Sequence, residues 1–185
     1  MRARRLAWGA LGVAGAVAGA VALQGCATRL PAGIEPVRHF ALDRYLGTWY
    51  EIARLDHSFE RGLEQTTATY SLQSDGSVQV VNRGFDPRAG RWKQATGKAR
   101  FVQGPDVAHL KVSFFGPFYG AYGVFVLDPQ YRYALVSGAD RSYLWVLSRT
   151  PTLPAGELDL LLLQARAAGF DTDRLVYPRQ QAAQP

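Results

Sequence analysis

Few residues in this chain carry reactive chemistry, and their spacing works against a catalytic site. Cys26 is the only cysteine in 185 residues. No intrachain disulfide can form, and a cysteine zinc cluster is excluded. There are three histidines, His39, His57 and His109. The pattern described below puts His39 ahead of the first strand, His57 in a long loop, and His109 near a turn at the opposite end. They do not converge, so a three-histidine zinc site is not expected. The sequence has no H-E-x-x-H, no G-x-S-x-G and no phosphate loop. No cofactor and no metal are expected, and the chain does not read as an enzyme.

Composition narrows the remaining classes. Hydrophobic residues make up 48% of the chain and charged residues 19%, enough apolar content for a core. The net charge is +6, but Arg2, Arg4 and Arg5 supply half of it within the first 25 residues. No basic face follows them, so nucleic acid is not an expected partner. A basic head from Met1 to Arg5, an apolar run from Leu6 to Leu23, and Leu23-Gln24-Gly25-Cys26 describe a secretory signal over residues 1–25. Residues 26–38 hold Pro31, Gly33 and Pro36 and read as a tether reaching roughly 20 Å if coil-like.

From Leu46 the pattern has period two, broken every eight to twelve positions by turn residues. Strands are expected near 48–55, 66–72, 77–84, 91–101, 108–115, 119–127, 131–138 and 143–149. Asp75-Gly76, Asp86-Pro87, Gly104-Pro105-Asp106, Gly116-Pro117, Asp128-Pro129 and Gly138-Ala139-Asp140 separate them. Connections this short make antiparallel neighbours and a meander. Closing eight such strands removes both exposed edges. Leu158, Leu161, Leu162 and Ala165 then fall at helical spacing, with Gly169 as the stop. The fold class expected is all-β: an eight-stranded antiparallel up-and-down barrel with one C-terminal helix packed outside. The domain spans 39–178, and residues 179–185 read as a disordered tail.

Three motifs then occur in order. They are Gly47-Thr48-Trp49-Tyr50, Asp128-Pro129-Gln130-Tyr131, and Arg149 at the end of the eighth strand. Together they resemble the three signature motifs of the lipocalins, over about residues 38–180. The wider segments Tyr45 to Arg54, Lys111 to Gly120 and Leu144 to Pro151 are similar to the bacterial outer-membrane branch of that family. The second motif departs from the family at Leu127, where Thr is usual. The resemblance implies that Trp49 plugs the closed end of the barrel and that Arg149 lies over its indole, a structural cation–π contact. Leu23-Gln24-Gly25-Cys26 resembles the lipobox of bacterial lipoproteins. That implies cleavage before Cys26, acylation of Cys26, and membrane anchoring by several acyl chains. Ala27 in place of Asp after the cysteine favours the outer membrane of a Gram-negative bacterium. The barrel is expected to face the periplasm, a side that no residue encodes. Some lipocalins isomerise prostaglandins with a barrel thiol; here the only thiol is the expected anchor.

Alternation from Trp49 places Glu51, Ala53 and Leu55 inside, and alternation back from Arg149 adds Trp145 and Tyr143. Tyr70, Val80, Asn82, Val112 and Phe114 share inward faces on their strands, and the resemblance adds Phe125. Tyr119 joins Phe59, Phe114, Phe115 and Phe118 as aromatics at the open mouth. A pocket lined this way suits an elongated apolar molecule with a polar head, a fatty acid or a lysophospholipid. Glu51 is expected to partner a buried donor, Lys98 or Arg149, and to be the only barrel carboxylate. The competing expectation is an envelope structural or interaction protein whose barrel is filled and takes no ligand. The rim aromatics would serve a membrane contact or a homodimer.

Overall fold

A computed structural model describes residues 27–181. The leader 1–25 and Cys26 lie outside the described residues. Eight strands run in order: β1 (Gly47–Leu55), β2 (Glu64–Leu72), β3 (Val78–Asp86), β4 (Arg91–Phe101), β5 (His109–Phe115), β6 (Phe118–Leu127), β7 (Tyr133–Ser137) and β8 (Leu144–Ser148). Each pairs antiparallel with the next, and β1 pairs with both β2 and β8, so the sheet closes on itself. A two-residue strand, β9 (Leu175–Val176), adds to β1 on the side away from β8, beyond the last β1–β2 pair. A short helix, α1 (Leu42–Tyr45), precedes the barrel, and α2 (Ala155–Ala167) packs on its wall.

Two apolar layers hold the molecule together. The first lies inside the barrel: Trp49, Tyr70, Val78, Val80, Leu110, Val124, Val136 and Leu147 are among its buried members. The second lies between the wall and α2, where Leu135, Leu144 and Val146 meet Leu161, Ala165 and Phe170. The stripe of α2 that faces the wall is the one its leucine spacing dictates.

Two of the four register shifts in the sheet turn sequence-selected side chains away from the expected face. In β1, Glu51 pairs with Leu147 and Ala53 with Val146, so Ile52 has no partner on β8. One extra residue inverts the alternation beyond it. Arg54 therefore points into the barrel, and Ala53 and Leu55 turn out beneath α2. A second bulge in β6 separates the Val124–Val136 and Val126–Leu135 pairs. It turns Phe125 outward, where its ring stacks on Phe170 at 5.5 Å.

The segment expected to be a free tether is docked. Ile34 is buried against the helix layer, and Leu30 packs beside Gly123. Val37 N–H donates to the Val124 carbonyl, and Arg141 donates to the Ala32 carbonyl at 2.7 Å. At the other terminus, Arg179 pairs with Glu64, and the Gln180 amide donates to the Glu51 and Thr66 carbonyls. These two residues fall in the stretch that composition alone reads as a disordered tail.

Candidate functional site

The closed end is built from rings. The Trp49 side chain is completely buried, its Nε1–H donates to the Tyr45 carbonyl at 2.8 Å, and the Tyr45 ring lies 4.7 Å away. The Arg149 guanidinium sits 4.0 Å from the indole centroid. It also donates to the Thr48 and Arg44 carbonyls at 2.9 and 2.7 Å, which ties β8 to β1 across the base. Phe40 packs beside Tyr45 and Tyr131. Inside the plug, the Tyr45, Tyr122 and Tyr70 hydroxyls form a chain of 2.6 and 2.7 Å contacts. Burial pushes all three phenols well above their ordinary range, so they stay protonated.

The open half has two unlike sides. On one, the loop after β1 folds into the mouth. Arg54, 2% exposed, donates to Glu51 and, at 2.7 Å, to the Glu60 carbonyl. The Trp145 indole N–H donates to Glu60 Oε2 at 3.1 Å. His57 lies against Tyr143, Trp145 and Phe59, with ring centroids 4.6, 5.0 and 5.3 Å away. The partner of Glu51 is thus Arg54. Lys98 instead pairs with Asp75 on the outer wall, and Arg149 caps the indole. Glu51 is not the only barrel carboxylate either, because Glu60 reaches in from the loop.

The site holds one guanidinium and two buried carboxyls, so burial of a net charge is avoided only if one carboxyl keeps its proton. Burial, and then the Glu60 charge, push Glu51 up to about 8 against the pull of Arg54. Glu60 is raised too, chiefly by burial. Burial, with Arg54 second, lowers His57 to about 4. The two shifts have opposite consequences. A raised carboxyl adds stability at low pH that is lost as pH climbs through about 8, whereas a lowered imidazole loses its contribution as pH falls from 6.5 toward 4. The slopes oppose each other between about 4.5 and 6.5. Urea midpoints are expected to fall from pH 6.5 to 8 in the native chain and to stay flatter over that range in Glu51→Gln.

The other side is lined by small residues. Register from the buried Val78 and Val80 makes Asn82, Ala68, Ala95, Gly97 and Lys93 inward on β2 to β4. A Cβ on Gly97 would come within 2.9 Å of the Phe114 ring, so glycine lets that ring lie against β4 inside the barrel. Val112 pairs with Gly120, again with nothing large opposite. Asn82, Ala68, Val112 and Phe114 are only half-buried, and Ala95 is exposed, although all face inward. Solvent therefore reaches these inner faces of β2 to β5.

The sequence-selected residues divide accordingly. Glu51, Tyr70, Val80, Asn82, Val112, Phe114 and Trp145 face the interior, and Tyr143 stands at the mouth on His57. Three do not belong to the lining. Ala53 and Phe125 are turned out by the bulges. Tyr119 shares the outer face with Lys111, whose amine lies 5.1 Å from its ring. Alternation missed Arg54, Glu60, His57, Tyr122 and Lys93. Tyr122 lies two residues after Gly120, the partner of the inward Val112, so period two along β6 carries it inside. The described residues contain no cluster of three or more His, Cys, Asp or Glu placed to hold a metal.

A closed eight-stranded antiparallel barrel, plugged by a Trp–Arg pair and carrying one outer helix, defines the lipocalin architecture. The lipocalin-like domain family matches residues 40–180, and this chain belongs to that family. It is 55% identical over 162 residues to the outer membrane lipoprotein Blc of Vibrio cholerae, covering 87% of this chain and 94% of that protein. The Blc of Escherichia coli K12 is also 55% identical, over 81% of this chain and 85% of its own length. The cockroach allergen Per a 4 superimposes with a TM-score of 0.65 at 17% identity, covering 83% of this chain and 96% of the allergen, a likeness of fold alone. Relatives of this kind place the chain in the Gram-negative outer membrane and among binding proteins rather than enzymes.

Proposed function

We propose that this chain is a lipid-binding protein of the cell envelope, tethered through acylated Cys26 on the periplasmic side of the outer membrane. It takes one single-chain lipid, a fatty acid or a lysophospholipid, tail first. The observation that carries the reading is the strip of inward positions along β2 to β6, where Ala68, Ala95 and Gly120 leave room beside Val80, Val112 and Phe114. Apolar surface of this kind holds a hydrocarbon chain, with stabilisation of roughly 0.8 kcal/mol per buried CH₂.

The polar end of the ligand belongs at the rim. Glu51 and Glu60 repel an anion, and their Arg54 is already engaged. Lys93 is on the inward face where the strip meets the mouth, half-exposed, with its amine 2.8 Å from Asp86. A carboxylate or phosphate there gains a charge-assisted hydrogen bond. Such a bond is worth roughly 1.5–3 kcal/mol when buried and less at a screened rim. Lys93→Glu is expected to weaken binding of a fluorescent fatty acid about tenfold, with little change for a neutral monoacylglycerol, measured by titration at low salt. Equal affinity of native and variant chains for the fatty acid would remove Lys93 from the site. Absence of uptake of any lipid would favour the filled barrel.

A further inference from the structure

The docked N-terminal segment fixes where the anchor leaves the barrel. The Thr28 carbonyl lies 2.8 Å from His109 Nε2, on the outer face at the start of β5. Leu30 packs on the neighbouring β6. Thr28 follows Cys26 by two residues, a reach of at most ~7 Å. An acylated Cys26 therefore holds that part of the wall at the bilayer surface, and the barrel does not swing on a long coil.

The wall beside that exit has the chemistry of a surface that meets anionic lipid. Arg100 on β4 pairs in register with Lys111 on β5, and Lys98 lies on the same outer face. Arg29, exposed, follows Thr28. One carboxylate, Asp75, stands among these cations, bonded to Lys98 at 3.1 Å and Arg100 at 2.9 Å. Clustered Lys and Arg beside an acyl anchor are attracted to anionic headgroups, and a second such signal stabilises anchoring. About 20 Å farther along β5, the turn into β6 presents Phe115, 81% exposed, and Phe118, 74% exposed. Exposed aromatics in a group mark a contact with a partner or membrane.

We propose that the outer face of β4 to β6 is a membrane-docking surface. The barrel lies on this side against the anionic bilayer that carries its anchor, with the Phe115–Phe118 turn in the headgroup layer, so that one edge of the mouth meets the lipid. This rests on acylation of Cys26. It does not depend on which lipid the barrel holds.

The test uses the full acylated chain in vesicles of phosphatidylethanolamine and phosphatidylglycerol. Acylation consumes the only native thiol, so single nitroxide labels can be placed by Thr96→Cys on β4, Phe118→Cys at the mouth, and Leu160→Cys on α2. All three positions are exposed. The expected result is more relaxation of label 118 by oxygen than by a water-soluble nickel chelate, a label 96 shielded from the chelate, and a label 160 open to it. Lys98→Glu with Lys111→Glu is expected to raise chelate access at position 96 roughly threefold while the chain stays in the vesicles. Equal chelate access at all three positions, or shielding at 160 with 96 open, would overturn the docking face. The mass of the same sample separates the premise: an acylated chain with an open position 96 refutes only this surface, whereas an unacylated mass refutes the anchoring as well.

Discussion

Arg54→Met is expected to lower the unfolding free energy by about 3–5 kcal/mol near pH 8, the cost of stripping the counter-charge from buried carboxyls. Among the described residues Arg54 is the only cation that touches Glu51, and it also ties the loop after β1 down through the Glu60 carbonyl. Without it, both acids must hold protons or leave the barrel. Protonation is easier at low pH, so the loss is expected to shrink toward pH 5. Adding Glu51→Leu to Arg54→Met removes the orphaned acid nearest the gap and is expected to recover most of the loss. Urea denaturation of the three chains at pH 5 and 8 measures this. A single variant within about 1 kcal/mol of the native chain at pH 8 would mean that the Arg54 network does not hold the mouth.

The second large effect belongs to the closed end. Trp49→Ala removes a completely buried indole, the hydrogen bond to Tyr45 and the surface that Arg149 covers. Large aromatic truncations in a core cost about 3–5 kcal/mol. For a chain of this size that is a melting-temperature fall on the order of 6–20 °C. Trp49→Phe keeps the ring contacts and loses the N–H, so it is expected to fall well short of the alanine variant. Equal losses for both would assign the hydrogen bond, not the packing, as the main contribution. The role of these residues is mechanical: they close the base so that the opposite end becomes the way in.

Much of this architecture was legible because its signals are local. Asp75-Gly76, Asp86-Pro87 and Gly116-Pro117 punctuate the strands where the turns fall, and the leucines of α2 announce a helix. What alternation could not supply was the place where alternation stops. Nothing in Glu51-Ile52-Ala53-Arg54 marks Ile52 as a bulge, yet that residue exchanges Ala53 for Arg54 in the interior and gives Glu51 its partner. The same failure turned Phe125 outward. Glu60 and His57 were invisible for another reason: the eight-residue loop that holds them has no period, and its burial is decided by the Trp145 and Tyr143 rings it folds against. The N-terminal segment read as a tether because Pro and Gly dominate it; Leu30 and Ile34, the two residues that dock it, carry no pattern of their own.

The central claim is that the strip along β2 to β6 holds one lipid. Native mass spectrometry of the chain from Ala27 onward, purified without detergent and paired with lipid extraction of the same sample, tests it most directly. The expected result is one bound species of fatty-acid or lysophospholipid mass per barrel, lost in a variant that fills the strip, Ala95→Trp. A clean unliganded mass, together with no uptake of a fluorescent fatty acid at micromolar concentration, would contradict it and leave a barrel filled by its own side chains.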